Sequence, residues 1–70
     1  MYIIKNKDGR FFKKAISFYN LNKEIVRNVE FVLGSMVSCH FSTKHDANCV
    51  KRLLEIEFEI TGLSIIELTG

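Results

Sequence analysis

The chain has 70 residues, of which 47% are hydrophobic and 26% charged, with ten basic against eight acidic side chains and a net charge of +2. That balance excludes a disordered polar tail, a multi-domain enzyme and a disulfide scaffold, and +2 is too mild to announce a nucleic-acid binder by itself. With no run of about 18 apolar residues and no basic start followed by an apolar stretch, neither a membrane span nor a signal peptide is expected, and the location expected is the cytoplasm.

The first element is a hairpin. Tyr2, Ile3 and Ile4 are β-formers, Asp8-Gly9 is a strong hairpin turn signal, and Arg10-Phe11-Phe12 opens a second β-rich run that continues to Phe18. By simple alternation Phe12, Lys14, Ile16 and Phe18 share one face, and Phe11, Lys13 and Ser17 the other. The stretch Asn20-Leu21-Asn22-Lys23 is polar and turn-prone. Residues 24–33 fit a helical stripe through Ile25, Val26, Val29, Val32 and Leu33, but their β-branched and aromatic content favours a third strand, antiparallel to the second.

Gly34-Ser35 breaks that strand, and Met36 to Phe41 reads as a short extended or single-turn connector. Thr43 with Asp46 three residues on makes a loose capping box, and Asp46 puts negative charge where the helix dipole favours it. Ala47, Val50, Leu53, Leu54 and Phe58 form the helical stripe, and Gly62 stands where a C-terminal cap belongs, so the helix is expected to reach about residue 60. A competing reading ends the helix at Leu54, because residues 54–60 alternate as a strand would. Leu63 to Leu68 is a last short strand. The predicted architecture is one α+β domain over residues 1–70. It is a small antiparallel sheet of three to four strands with one helix on one face, in the order β-β-β-α-β.

Charge divides the chain. Residues 1–35 carry seven basic and three acidic groups, residues 36–70 three and five. Lys5, Lys7, Arg10, Lys13 and Lys14 surround Phe11 in the first hairpin, a mixture able to meet phosphates and unstacked bases. Lysine on exposed strands also protects sheet edges, which is the plainer explanation. Glu55, Glu57 and Glu59 near the end of the helix are candidates for meeting a basic surface on a partner, or form a solvated face. The apolar run Phe31, Val32, Leu33, Met36 and Val37 is the preferred candidate for a partner or dimer contact.

Catalysis is not expected. Cys39, Cys49 and Ser42 are candidate nucleophiles and His40 and His45 candidate bases, with His45 and Cys49 one helical turn apart, but no third orienting group is evident. Cys39, His40, His45 and Cys49 have a zinc-like composition without a zinc-like spacing, so two reduced cysteines and no metal or cofactor are expected.

The residues Tyr2-Ile3-Ile4-Lys5-Asn6-Lys7-Asp8-Gly9-Arg10-Phe11-Phe12, the stretch Phe41-Ser42-Thr43-Lys44 with Ala47, and Thr61-Gly62-Leu63 near the end together resemble small proteins encoded by phages and prophages of AT-rich Gram-positive bacteria. The resemblance touches both ends and the middle. It departs at residues 31–39, where those proteins carry a polar connector and this chain carries Phe31-Val32-Leu33-Gly34-Ser35-Met36-Val37. It implies a non-catalytic accessory protein that binds a host protein and inhibits or modulates it, a defence system such as a CRISPR effector included. A homodimer is compatible with the same surface. A nucleic-acid-binding module using the basic hairpin is the alternative.

Overall fold

A computed structural model describes residues 1–69. Its elements are β1 (Tyr2–Lys5), β2 (Phe11–Tyr19), β3 (Ile25–Val32), a single 3₁₀ turn (Ser35–Val37), α1 (Lys44–Glu57) and β4 (Ser64–Glu67). The four strands form one antiparallel sheet in the order β3-β2-β1-β4, so the α+β architecture expected from the sequence holds. Within the expected span 24–33, Ile25–Val32 form a strand despite the helical periodicity. No helix among the described residues is long and apolar enough to cross a membrane.

Both hairpin turns use one device. Asn6 Oδ1 accepts hydrogen bonds from the backbone N–H groups of Asp8 (3.0 Å) and Arg10 (2.9 Å). Asn20 Oδ1 accepts from Asn22 (2.9 Å) and Glu24 (3.0 Å). In each turn the fourth residue donates its N–H to the asparagine carbonyl and has a positive φ, +80° for Gly9 and +62° for Lys23. Glycine takes that conformation freely, whereas a side chain there crowds the following carbonyl. Lys23→Gly is therefore expected to raise stability by about 0.5–1 kcal/mol net of the extra freedom glycine gives the unfolded chain, seen as a melting temperature roughly 2–8 °C higher.

The core lies between α1 and the sheet. Ile4, Phe12, Leu54 and Leu63 are its buried centre, with Phe31, Phe41, Val50, Phe58, Ile60 and Ile65 packed around them. Phe12 meets Phe31 edge-on at 6.2 Å and stacks on Phe41 at 6.4 Å. β1 is buried through both Ile3 and Ile4, which point to opposite faces of the strand. This is why so short an element can anchor the sheet.

α1 starts as expected. The Thr43 hydroxyl accepts from the Asp46 N–H at 3.1 Å, and Asp46 lies in the first turn. It ends at Glu57, three residues short of the expected limit and three beyond the competing one. The stop is made by Glu59 rather than Gly62. Glu59 adopts φ +54°, and Ile60 N–H turns back to the Leu54 carbonyl at 3.1 Å. Gly62 has a different duty. It has φ +77°, and a Cβ there would sit 3.0 Å from the Cβ of Lys7, in the first hairpin turn. Gly62→Ala combines backbone strain with that collision and is expected to cost more than about 1 kcal/mol, measurable as a lower denaturant midpoint.

Candidate functional site

The main departure from simple alternation is a bulge in β2. Phe12 pairs with Phe31 but Lys14 pairs with Glu30, leaving Lys13 as the extra residue. A bulge moves every later side chain to the other face. Phe12 points into the core, and after Lys13 it is Ala15 that packs there, not Ile16. The expectation that Phe12, Ile16 and Phe18 share a face is thus corrected. Ile16 and Phe18 stand on the outer face, opposite Phe12.

The same place is where the β2–β3 hairpin leaves the sheet. β1 pairs with β2 only at Lys5 and Phe11. The gap between the diverging strands is filled by the connector before α1. Cys39 N–H donates to the Phe12 carbonyl at 2.8 Å, and Tyr2 and Phe41 exchange two backbone hydrogen bonds of 2.8 Å. Beyond this wedge β2 and β3 run on as a two-stranded arm, with no buried residue from Ile16 to Asn28. The arm stretches the molecule to 47 × 23 × 20 Å, with a radius of gyration of 12.8 Å where a compact chain of this length has about 11 Å.

The arm is apolar where it is most exposed. Ile16, Phe18 and the half-buried Val26 share the outer face, with Phe18 opposite Val26. Tyr19 and Ile25 are paired on the inner face, and Leu21 is fully exposed at the apex. At its root the arm is tied to α1 by Arg27 and Glu57, 3.5 Å apart. There a shallow groove of about 260 Å³ is lined by Ala15, Ile16, Arg27, Leu53, Glu57 and Phe58.

The apolar candidates of the connector divide. Phe31 belongs to the core through Phe12, and Val32 is half-buried. Leu33, Met36 and Val37 are exposed, Met36 at 90%. The acidic candidates are partly engaged within the chain. Glu55 pairs with Lys51 at 3.1 Å and Glu57 with Arg27, while Glu59 is exposed at the helix stop. Of the basic candidates, Lys7, Arg10 and Lys13 are exposed, Lys5 and Phe11 are half-buried, and Lys14 pairs with Glu30 at 3.7 Å.

The sulfur and imidazole groups do not gather into one cluster. His40 Nε2 donates to the Ser35 carbonyl at 2.8 Å, and Cys39 packs against the core. His45 and Cys49 meet on α1, Nε2 to Sγ 3.7 Å, in the contact their spacing allows. Both cysteines are free thiols, and no group of three or more metal-ligating side chains occurs among the described residues.

The exposed apolar set Ile16, Phe18, Tyr19, Leu21 and Ile25 is what sequence reasoning missed as a surface. The signal was present in Leu21, an apolar residue inside an otherwise polar turn, and in apolar residues at both parities of β2 and β3 near that turn. No protein-family model, curated protein or solved structure matches the chain.

Proposed function

We propose that this protein works by binding a protein partner, not by catalysis, as a phage or prophage accessory protein that inhibits or modulates host machinery in the bacterial cytoplasm. The arm carries this reading. A two-stranded ribbon is marginal in water by itself, and this one is apolar on both faces and at its tip. Exposed apolar patches of that kind mark contact surfaces, and Phe18, Tyr19 and Leu21 are suited to fill pockets on a partner. Leu33, Met36 and Val37 add a second exposed apolar patch on the connector. The phage assignment draws on the resemblance of the first hairpin and the helix start to small phage proteins, a class whose targets include CRISPR effectors. The non-catalytic reading draws on shallow surface grooves and on the His45–Cys49 pair, which no further side chain orients among the described residues.

The test is complex formation with extract of a Gram-positive host. Wild type should retain a host protein in fixed stoichiometry, and a variant with Phe18, Tyr19 and Leu21 all changed to serine should not. Retention of no protein, or equal retention by the arm variant, overturns the reading.

Lys7, Arg10 and Lys13, exposed together around the first turn and the bulge, favour nucleic acid as the second reading. Three free cations limit what it can achieve. Three phosphate contacts give a salt slope near −2.7, so affinity would fall only about 40-fold between 50 and 200 mM salt. A titration against single- and double-stranded DNA and RNA at low salt should show weak binding with a slope no steeper than about −3. A steeper slope, or sequence-selective binding, would favour this reading over the first.

A further inference from the structure

The outward side of α1 carries a second feature, independent of the arm. At 3.6 residues per turn His45, Cys49, Arg52 and Ile56 lie within about 60° of one another, on the side away from Leu54, with Leu53 flanking them. The exposed side of such a helix is normally polar. Here Leu53 is 48% and Ile56 66% exposed. The polar end of the stripe is the His45–Cys49 pair, with Nε2 and Sγ 3.7 Å apart. A tetrahedral zinc ion takes nitrogen at about 2.0–2.1 Å and sulfur at about 2.3 Å, which places the two ligand atoms about 3.5 Å apart. The pair therefore needs only a small closing movement to chelate such an ion.

Two ligands fill half of a tetrahedral shell. Among the described residues no third candidate stands with them. A second copy related by a two-fold axis supplies the missing half, because an isologous contact brings the same residues from both chains to the axis. We infer that His45 and Cys49 form a half-site for a divalent thiophilic metal of the zinc class, completed by the same two residues of a second copy of this chain.

The shell is then two imidazoles and two thiolates. Each Cys49 thiol releases its proton to solvent, and the two thiolates balance the 2+ charge of the ion. With the axis running along the helices, the metal sits on it, Leu53 and Ile56 meet their counterparts, and the exposed Arg52 side chains extend past the contact into solvent. Both ligands are solvent-exposed, so the chain folds without the ion and the metal controls assembly rather than folding.

The test uses the full chain with a phosphine reductant present. Zinc, or cobalt as a spectroscopic substitute, is titrated while mass in solution is followed by sedimentation or light scattering. The expected result is one metal per two chains, a monomer-to-dimer shift, a tetrahedral thiolate-bound cobalt spectrum, and reversal by chelator. His45→Ala and Cys49→Ser should each abolish the shift with an unchanged circular dichroism spectrum, while His40→Ala should retain it. One metal per chain with no change in mass, a dimer indifferent to chelator, or metal-dependent dimerisation that survives Cys49→Ser would overturn the inference.

Discussion

Leu54→Ala is expected to leave much of the protein unfolded at physiological temperature. Leu54 is fully buried at the centre of the core, on the helix face that meets Ile4, Phe12 and Leu63. Truncating such a leucine removes its transfer free energy and leaves a cavity, at a cost of about 3–5 kcal/mol. A domain of 70 residues has a total stability of only about 3.5–10 kcal/mol. The arm lowers what this chain can draw on, since residues 16–28 contribute no buried side chain. One truncation therefore removes from about three tenths of the stability to all of it. Leu53→Ala, one position away and half exposed, should cost under about 1 kcal/mol. Urea unfolding of the two variants measures the contrast. Similar costs for both would mean that α1 does not turn Leu54 into the core and Leu53 toward solvent.

The architecture was legible in the sequence where local chemistry and global packing agree. Thr43 and Asp46 announce a helix start and form one. Asp8-Gly9 announces a turn, and Gly9 takes the positive φ that the turn requires. The β-branched content of residues 24–33 outweighed their helical spacing because β2 offers them a full antiparallel partner. The helix stop was misplaced for a specific reason. Glycine is the usual left-handed residue, so Gly62 was the natural choice, yet Glu59 takes that conformation and Gly62 is needed where Lys7 approaches.

The candidate surface was less legible, and the bulge explains why. Bulges carry no strong local signal, and Lys13 looks like any exposed strand lysine. Without it, Ile16 and Phe18 continue the face of Phe12 and read as core. With it, Ile16 and Phe18 turn to the outer face, and beyond the shallow groove and the Arg27–Glu57 pair at the root the arm runs on without a buried side chain. The same event redirects the strand and frees the arm, so missing one residue hides the whole surface. Phe31 shows the converse. It belongs by sequence to an exposed-looking apolar run, but its cross-strand partner is Phe12, and it is drawn inward.

The arm and the connector are the two exposed apolar candidates for the proposed partner contact, and their substitution effects should separate. Changing Phe18 and Leu21 to serine removes no core contact, so the cost in stability is expected to stay within about 1 kcal/mol. Partner affinity should fall by at least about 100-fold, because each large apolar anchor at the centre of an interface is worth about 2 kcal/mol or more. Met36→Ser with Val37→Ser removes comparable exposed area from the connector. Its effect should be under about tenfold if the arm is the anchor and the connector lies at the rim. The physical asymmetry is rigidity and reach. The connector is held by the Cys39, Tyr2 and Phe41 hydrogen bonds close to the body, whereas the arm projects about 20 Å and can enter a cleft. Calorimetric titration of both variants against the captured partner decides between them. A larger loss in the connector variant would move the binding surface to Leu33, Met36 and Val37 and leave the arm a different role.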